Sequence, residues 1–473
     1  MVGKPEGLFI NGERIVGPRS FPVYHKYRGH ILADVTEAGN VEIDQALDGA
    51  LHAWATPMSV EDRFEILLRV SQELGRLDHE FARLMAQEAG KPYTDALAEV
   101  RRGQQTLYYS AIAAKTLAGQ EIPVAGNPGS ERRLAFTLRK PYGVMLAITP
   151  FNFPLNLVLH KVGPGLAAGN AVIVKPAPAT PLTALKVADL FWEAGLPAGW
   201  LQVLCGSGPE LGHRLVTDPR VSLISFTGSA RVGQAIRHAA GLKPVILELG
   251  NNSANIVHSD ADLEETARIL AQKAYAYAGQ MCISVQRIYV HRPSYRRFEE
   301  QFVAAMKRLV VGDPEDPRTD VGPMIDEAAV DRVESWIQEA LSRGAQIIRA
   351  GQRQGALLEP WALANVTPGM QVMADEVFAP VAGITAYETF DEALSWTNNS
   401  RYGLQTGVFT QSLDLAWKAA RTLVVGGVMI NDSSAYRADN MPYGGVKESG
   451  IGREGPEYAI HDMTYPTVVV FNL

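Results

Sequence analysis

An α/β fold is predicted for this chain of 473 residues, on three observations. Short apolar runs alternate with helix-length segments, the runs are rich in Val, Ile and Leu, and the pattern occurs twice along the chain. Strands apolar on both faces belong to a parallel sheet covered by helices on both sides, and the alternation is that of βαβ units. At this length a single hydrophobic core has stopped growing, so two or more domains are expected.

The first hundred residues read as strand-like pieces followed by helices. Ser59, with Asp62 three residues on, fits the cap of a helix whose apolar positions are Phe64, Leu67, Leu68 and Val70. Gly90-Lys91-Pro92 closes a second helix, since Gly followed by Pro is a stop signal. Over 142–249 the runs GVMLAIT, AVIVK, LQVLC, VSLISF and PVILEL alternate with helical segments such as 181–195 and 229–241. A second set, ANIV, QRIYV, AQIIRA, VAGITAY, GLQTGVFT and GGVMIN, runs over 254–431. Two α/β lobes with a cleft between them are therefore expected. No exact repeat and no low-complexity linker separates them. The segment 118–139 and the tail 465–473 differ: both are β-rich, and the tail, with TVVVFNL, is too apolar for a free end. They are expected to pair with each other or with another subunit.

Composition narrows the function classes. A hydrophobic fraction of 47% with 20% charged residues is that of an ordinary soluble globular protein, and a net charge of −7 offers no nucleic-acid footprint. Arg132, Arg133, Arg139 and Lys140 are the nearest thing to a basic patch and read as a solvated hairpin. The start, MVGKPEGLFINGER, lacks the basic-then-apolar pattern of a secretory signal. The most apolar stretch, 142–174, is broken by Pro150, Pro154, His160, Lys161 and Pro164, which suits two buried strands with a connection and no membrane span. Cys205 and Cys282 are too few for a disulfide framework or a zinc site, so no metal is expected and a reducing, cytoplasmic setting is. Each thiol is then either a small core residue or a nucleophile.

Cys205 sits inside the apolar run LQVLC and reads as core. Cys282 lies in Gly279-Gln280-Met281-Cys282-Ile283-Ser284, after a helix-like stretch 262–277 that Gly279 can end. A buried inert thiol competes with a nucleophile there, and the flanking Gly, Gln and Ser are unusual for a core site. A thiolate that adds to an aldehyde leaves a thiohemiacetal that must lose a hydride, and no side chain accepts one. A dinucleotide site is therefore required. Gly228 and Ser229, in FTGSARVG, stand where a strand runs into a helix, so the helix N-terminus can hold a phosphate. A plain helix cap is the competing reading. Lys175 ends the strand AVIVK at the sheet edge where ligands gather, unless it is a solvated loop lysine. Glu248 ends PVILEL; a partly desolvated carboxylate there has a raised pKa suited to activating water, with a structural ion pair as the alternative. Asn152, in PFNFP, is held by two prolines and two aromatics and can donate to an oxyanion, or else cap the next helix.

Taken together, PFNFP, VIVKPA, FTGSARVG, LELG, GQMCIS, DEVFAP and PYGGVKESGIGREG, in that order, resemble the aldehyde dehydrogenase superfamily over nearly the whole chain. The resemblance implies an NAD(P)-binding, Rossmann-like domain over 1–117 and 140–248. It also implies an α/β catalytic domain over 249–450 and an oligomerisation element from 118–139 and 463–473, assembled as homodimers or homotetramers. By position, Cys282 resembles the nucleophile, Glu248 the general base, and Asn152, with the Cys282 backbone N–H, the oxyanion hole. Lys175 looks like the ribose-binding lysine, Ser229 the pyrophosphate contact, and Glu376 and Phe378 the holders of the nicotinamide ribose and ring. Thr149, Pro150, Phe151, Gly228, Gly233 and Leu249 complete the implied cofactor contacts.

Three departures stand out. Pro178 replaces the glutamate that repels a 2′-phosphate in NAD-preferring members, so NAD, slightly favoured, and NADP both remain open. Asn251 follows LELG in place of Gly, and Ala379 replaces the Gly behind Phe378. The segment 431–439 resembles a subgroup acting on short hydroxylated or acidic aldehydes such as lactaldehyde. Met281, where phosphonate-specific members carry Arg, counts against a strongly anionic substrate. For Arg437 an inter-subunit salt bridge is expected ahead of a carboxylate contact. The implied chemistry is oxidation of an aldehyde to the acid through a thioester on Cys282, with no nucleic-acid or membrane partner. Glu248 counts against a relative that passes the thioester to coenzyme A, and the intact reactive positions count against a non-catalytic protein on the same fold.

Overall fold

The computed structural model describes residues 5–473; the first four residues of the expected 1–117 segment lie outside the described residues. Ser59 accepts from the Asp62 N–H and opens the helix Val60–Arg76, and the helix Asp78–Ala89 ends on Gly90 at φ 67°. Both boundaries are those the residues predict.

Every apolar run of the first set is a strand. In sheet order, Leu201–Val203, Ala171–Lys175, Val144–Ile148, Val221–Thr227 and Val245–Glu248 run parallel. The antiparallel pair Leu8–Ile10 and Glu13–Ile15 closes one edge. At the other, Gly450–Ile451 pairs antiparallel with Val245–Glu248, bringing the chain back to this sheet after some two hundred residues. The second set forms a seven-stranded sheet, in the order Gln346–Arg349, Trp361–Ala364, Val381–Tyr387, Arg287–His291, Ala254–Val257, Gln405–Phe409 and Gly427–Ile430. Only its first strand is antiparallel. Each sheet has its own buried cluster: one gathers residues up to Leu249 together with Tyr402, Ala459, Ile460 and Met463, and the other spans Ala254 to Leu423.

The tail strand Thr464–Asn472 pairs antiparallel over its full length with Arg133–Pro141, which also holds Glu121–Ile122. Val468, Val470 and Phe471 of that strand remain exposed. The apolar connection within 142–174 is itself a helix, Asn156–Ala168, buried on all sides despite Pro164. Its N-terminus rests on Glu99, whose Oε1 accepts from the N–H groups of Leu155 and Asn156 at 3.0 and 2.9 Å. Glu99 in turn pairs with Lys91, both fully buried, and the Lys91 ammonium lies 3.5 Å from the centre of the Phe153 ring. Among the described residues no helix is long and apolar enough to cross a membrane.

Candidate active site

Cys282 follows a local geometry that periodicity does not reveal. The helix Leu263–Tyr275, capped by Asp262, stops two residues before the expected end. Tyr277 and Ala278 take positive φ of 48° and 53°, and the buried Tyr277 hydroxyl donates to the Ala89 carbonyl at 2.8 Å. That anchor in the first lobe overrides helix continuation. Gly279 follows at φ 69°, and a Cβ there would collide with the Ala379 carbonyl, so glycine alone fits. The thiol past this turn is half-buried and free, whereas Cys205 is 1% exposed, as its core reading requires. Burial pushes the Cys282 thiol up to about 12; a hydrogen bond from Tyr443 opposes this, Glu376 and Glu248 add to it, and Arg437 reduces it.

Asn152 is buried and its Nδ2 donates to the Gln280 carbonyl at 2.9 Å, two residues before the thiol. The helix after it is held by Glu99, so the capping alternative for Asn152 falls away. Glu248 is 2% exposed, and neither carboxylate oxygen has a hydrogen-bond partner among the described residues. The ion-pair alternative is therefore absent. A Cβ on Gly444 would stand 2.8 Å from Glu248 Oε1, so the acid presses against bare backbone. Burial raises its pKa well above the usual carboxylate value; Glu454 adds to the rise, while Arg437, Lys161 and Arg453 pull it back.

Beside this carboxyl lies a buried polar network. Glu454 sits between Lys161 at 3.2 Å and Arg437 at 2.9 Å. Asp439 accepts from Asn156 and contacts His160, and receives both arms of Arg102. The expectation of an inter-subunit bridge for Arg437 is corrected here: the guanidinium is 6% exposed and pairs within its own chain, because the 437–443 loop folds over Glu454. Its Nε has no hydrogen-bond partner among the described residues. His160, Lys161, Asp439, Tyr443 and Glu454 escaped the reading of the residues as site members. A signal was present: His160 and Lys161 interrupt an otherwise apolar helix, and a buried charge must be paired.

Of the expected cofactor residues, Thr149, Lys175, Gly228, Ser229 and Leu249 stand at the carboxyl ends of first-sheet strands, whereas Glu376 and Phe378 lie on the loop before Val381–Tyr387 of the second sheet. Lys175 is buried, and its only hydrogen-bond acceptor among the described residues is the Pro176 carbonyl at 3.3 Å. Desolvation lowers it to about 8, against a smaller opposite effect of Cys205. Thr149 Oγ1 nearby is buried and has no hydrogen-bond partner among the described residues, and Pro178 is exposed. Ser229 caps the helix Ala230–Ala239 by accepting from Val232 N–H and stays open to solvent. A Cβ on Gly228 would meet the Phe226 ring at 2.5 Å, and one on Gly233 would collide with Leu249, so this helix start is bare and tightly set. An ammonium lacking an anion and an open helix N-terminus are what a dinucleotide would satisfy. Pro150 and Phe151 follow on the next loop, where the Phe151 and Phe378 rings meet edge to face at 5.9 Å. Phe378 adopts φ 51°. Glu376 Oε1 accepts from the Asn251 N–H at 3.0 Å, and burial lifts its carboxyl to about 7. Asn251 itself has no positive φ, so its left-handed tolerance goes unused.

The sequence matches the aldehyde dehydrogenase family over residues 15–469. It is 48% identical over 470 residues to a 3-sulfolactaldehyde dehydrogenase of Priestia aryabhattai, covering 99% of this chain and 98% of that protein. The fold superposes on aldehyde dehydrogenase 21 from Physcomitrella patens, solved with its reaction product succinate, at a TM-score of 0.97, with 36% identity, 100% of this chain and 99% of that one covered. It also superposes on glyceraldehyde-3-phosphate dehydrogenase GapN from Methanocaldococcus jannaschii in complex with NADP, at 0.93, with 36% identity and 97% and 100% covered.

Proposed function

Because the chain belongs to the aldehyde dehydrogenase family, we propose that it oxidises a short aldehyde bearing a hydroxyl or acid group to the carboxylic acid, with Cys282, Glu248 and Asn152 as its reactive residues. The observation that carries this reading is the Glu248 carboxyl: buried, with neither oxygen hydrogen-bonded among the described residues.

Cys282 adds as thiolate to the carbonyl carbon. The developing oxyanion is held by the Asn152 amide and the Cys282 backbone N–H. NAD or NADP, when bound, supplies the hydride acceptor that turns the thiohemiacetal into a thioester. Glu248 takes a proton from water, and the hydroxide so formed releases the acid. Lys175, Ser229, Glu376 and Phe378 are the residues to hold the dinucleotide, with Thr149, Gly228, Gly233 and Leu249 shaping its bed. With Pro178 in place of a carboxylate, either cofactor fits. The first lobe is then the cofactor domain and the second the catalytic domain. The three-stranded element, with its exposed Val468, Val470 and Phe471, is the surface for dimer or tetramer assembly. Two free thiols suit a reducing, cytoplasmic setting.

Two relatives support the substrate class. One is named for 3-sulfolactaldehyde, a hydroxylated aldehyde with an acid group, and the other was solved with succinate. Arg437, whose Nε has no hydrogen-bond partner among the described residues, offers an acid group the cation that Met281 does not.

The test is NAD(P)H absorbance with lactaldehyde, glyceraldehyde, succinate semialdehyde, 3-sulfolactaldehyde and simple alkanals. Turnover without coenzyme A, highest for hydroxylated or acidic aldehydes and abolished in Cys282→Ala, is expected. Ordinary turnover by Cys282→Ala refutes the mechanism, and a strict need for coenzyme A makes the enzyme an acylating one instead.

A further inference from the structure

The phenol of Tyr443 is buried, and its oxygen lies 2.9 Å from Cys282 Sγ, its one hydrogen-bond partner among the described residues. Its backbone is fixed by reciprocal hydrogen bonds with Glu454: the Tyr443 N–H donates at 3.0 Å, and the Glu454 N–H returns a bond to the Tyr443 carbonyl. Glu454 also binds Arg437 at 2.9 Å, and the Arg437 guanidinium carbon lies 3.7 Å from the centre of the Tyr443 ring. Two backbone hydrogen bonds and the Glu454 and Arg437 side chains therefore hold one hydroxyl against one sulfur.

A thiol and a phenol can each donate to the other, but once the thiol ionises only the phenol has a proton to give. Burial keeps that proton on, raising Tyr443 well above the ordinary phenol value. A thiolate in this desolvated place needs a donor, because its other charged neighbours Glu376 and Glu248 repel it and only Arg437 attracts it. A cation over the ring face withdraws electron density from the phenol and makes its O–H a stronger donor.

We propose that Tyr443 is a catalytic residue: its phenol donates a hydrogen bond to the Cys282 thiolate and so sets the fraction of enzyme ready to attack, with Arg437 on the ring strengthening the donor. The phenol keeps its own proton throughout, and the proton lost by the thiol passes to solvent in the preceding equilibrium. This rests on the reading of Cys282 as nucleophile.

The test follows alkylation of Cys282 by iodoacetamide across pH in the full chain, with buried Cys205 as the unreactive internal control. Tyr443→Phe is expected to move the midpoint of the pH–rate profile up by about one pH unit, so that alkylation near neutrality slows about tenfold. An unchanged midpoint in the folded variant overturns the proposal. If Tyr443→Phe does not fold, 3-fluorotyrosine at position 443 keeps ring and hydroxyl and makes the phenol more acidic. A lower midpoint then supports the donor, and an unmoved one overturns it. Failure of the nucleophile reading would appear separately, as NAD(P)H formation by Cys282→Ala.

Discussion

The side-chain amide of Asn152 donates to the carbonyl of Gln280 at 2.9 Å, joining the loop after a first-lobe strand to the turn that carries the thiol, 128 residues further on. One N–H of the amide is thus spent on orientation, and the second is the one the proposed mechanism gives to the oxyanion. Asn152→Ala should lower kcat by about 10²–10³, the cost of one oxyanion donor, with a smaller change in KM. A kcat within a few-fold of wild type would remove Asn152 from the mechanism.

Glu248 must be ionised to accept a proton from water, and burial holds its pKa well above 4.5. Turnover should therefore rise with pH through that elevated value and be lost below it. Glu248→Gln should give one rapid equivalent of NAD(P)H per site, then steady turnover reduced about 10²–10⁴-fold, without the pH-dependent limb. Glu454 raises the Glu248 pKa, so Glu454→Gln should move the limb to lower pH. Stopped-flow absorbance across pH reads both effects.

Lys175 is a desolvated ammonium held by one carbonyl. In Lys175→Met that desolvation cost disappears, so the thermal midpoint should hold or rise while dinucleotide affinity falls at least about tenfold. The cation is present below a pKa of about 8 and is lost above it, so wild-type dinucleotide binding should weaken as pH rises through 8. Calorimetric titration of NAD and NADP at two pH values settles it; equal affinity in Lys175→Met would assign the lysine to another role.

Glu99 both pairs with Lys91 and receives the first N–H groups of the buried helix Asn156–Ala168. Glu99→Ala leaves Lys91 buried without its counter-ion and should cost about 3–5 kcal/mol of stability. Chemical denaturation measures it. A loss below about 1 kcal/mol would mean that the ion pair contributes little.

Both sheets were legible because period and composition report burial directly: AVIVK and VSLISF are strands in any α/β context. The positions of Lys175, Glu248 and Ser229 were legible as well, the first two ending apolar strands and the third capping a helix. The turn at Tyr277 and Ala278 was not, for nothing local favours positive φ at either residue; a hydroxyl reaching Ala89 in the other lobe does. Arg437 was misread for the same reason. Its partner Glu454 is fixed by tertiary folding, and a charge in a polar stretch does not announce that it is buried.

The return of the chain to its first sheet through Gly450–Ile451 bears on biosynthesis. The edge beside Glu248 stays open until Gly450–Ile451, some two hundred residues further along, has been made, and Tyr443 and Glu454 lie in the same later stretch. A chain cut short before Gly450 therefore lacks both the strand that covers this edge and the carboxylate that pairs Lys161 with Arg437.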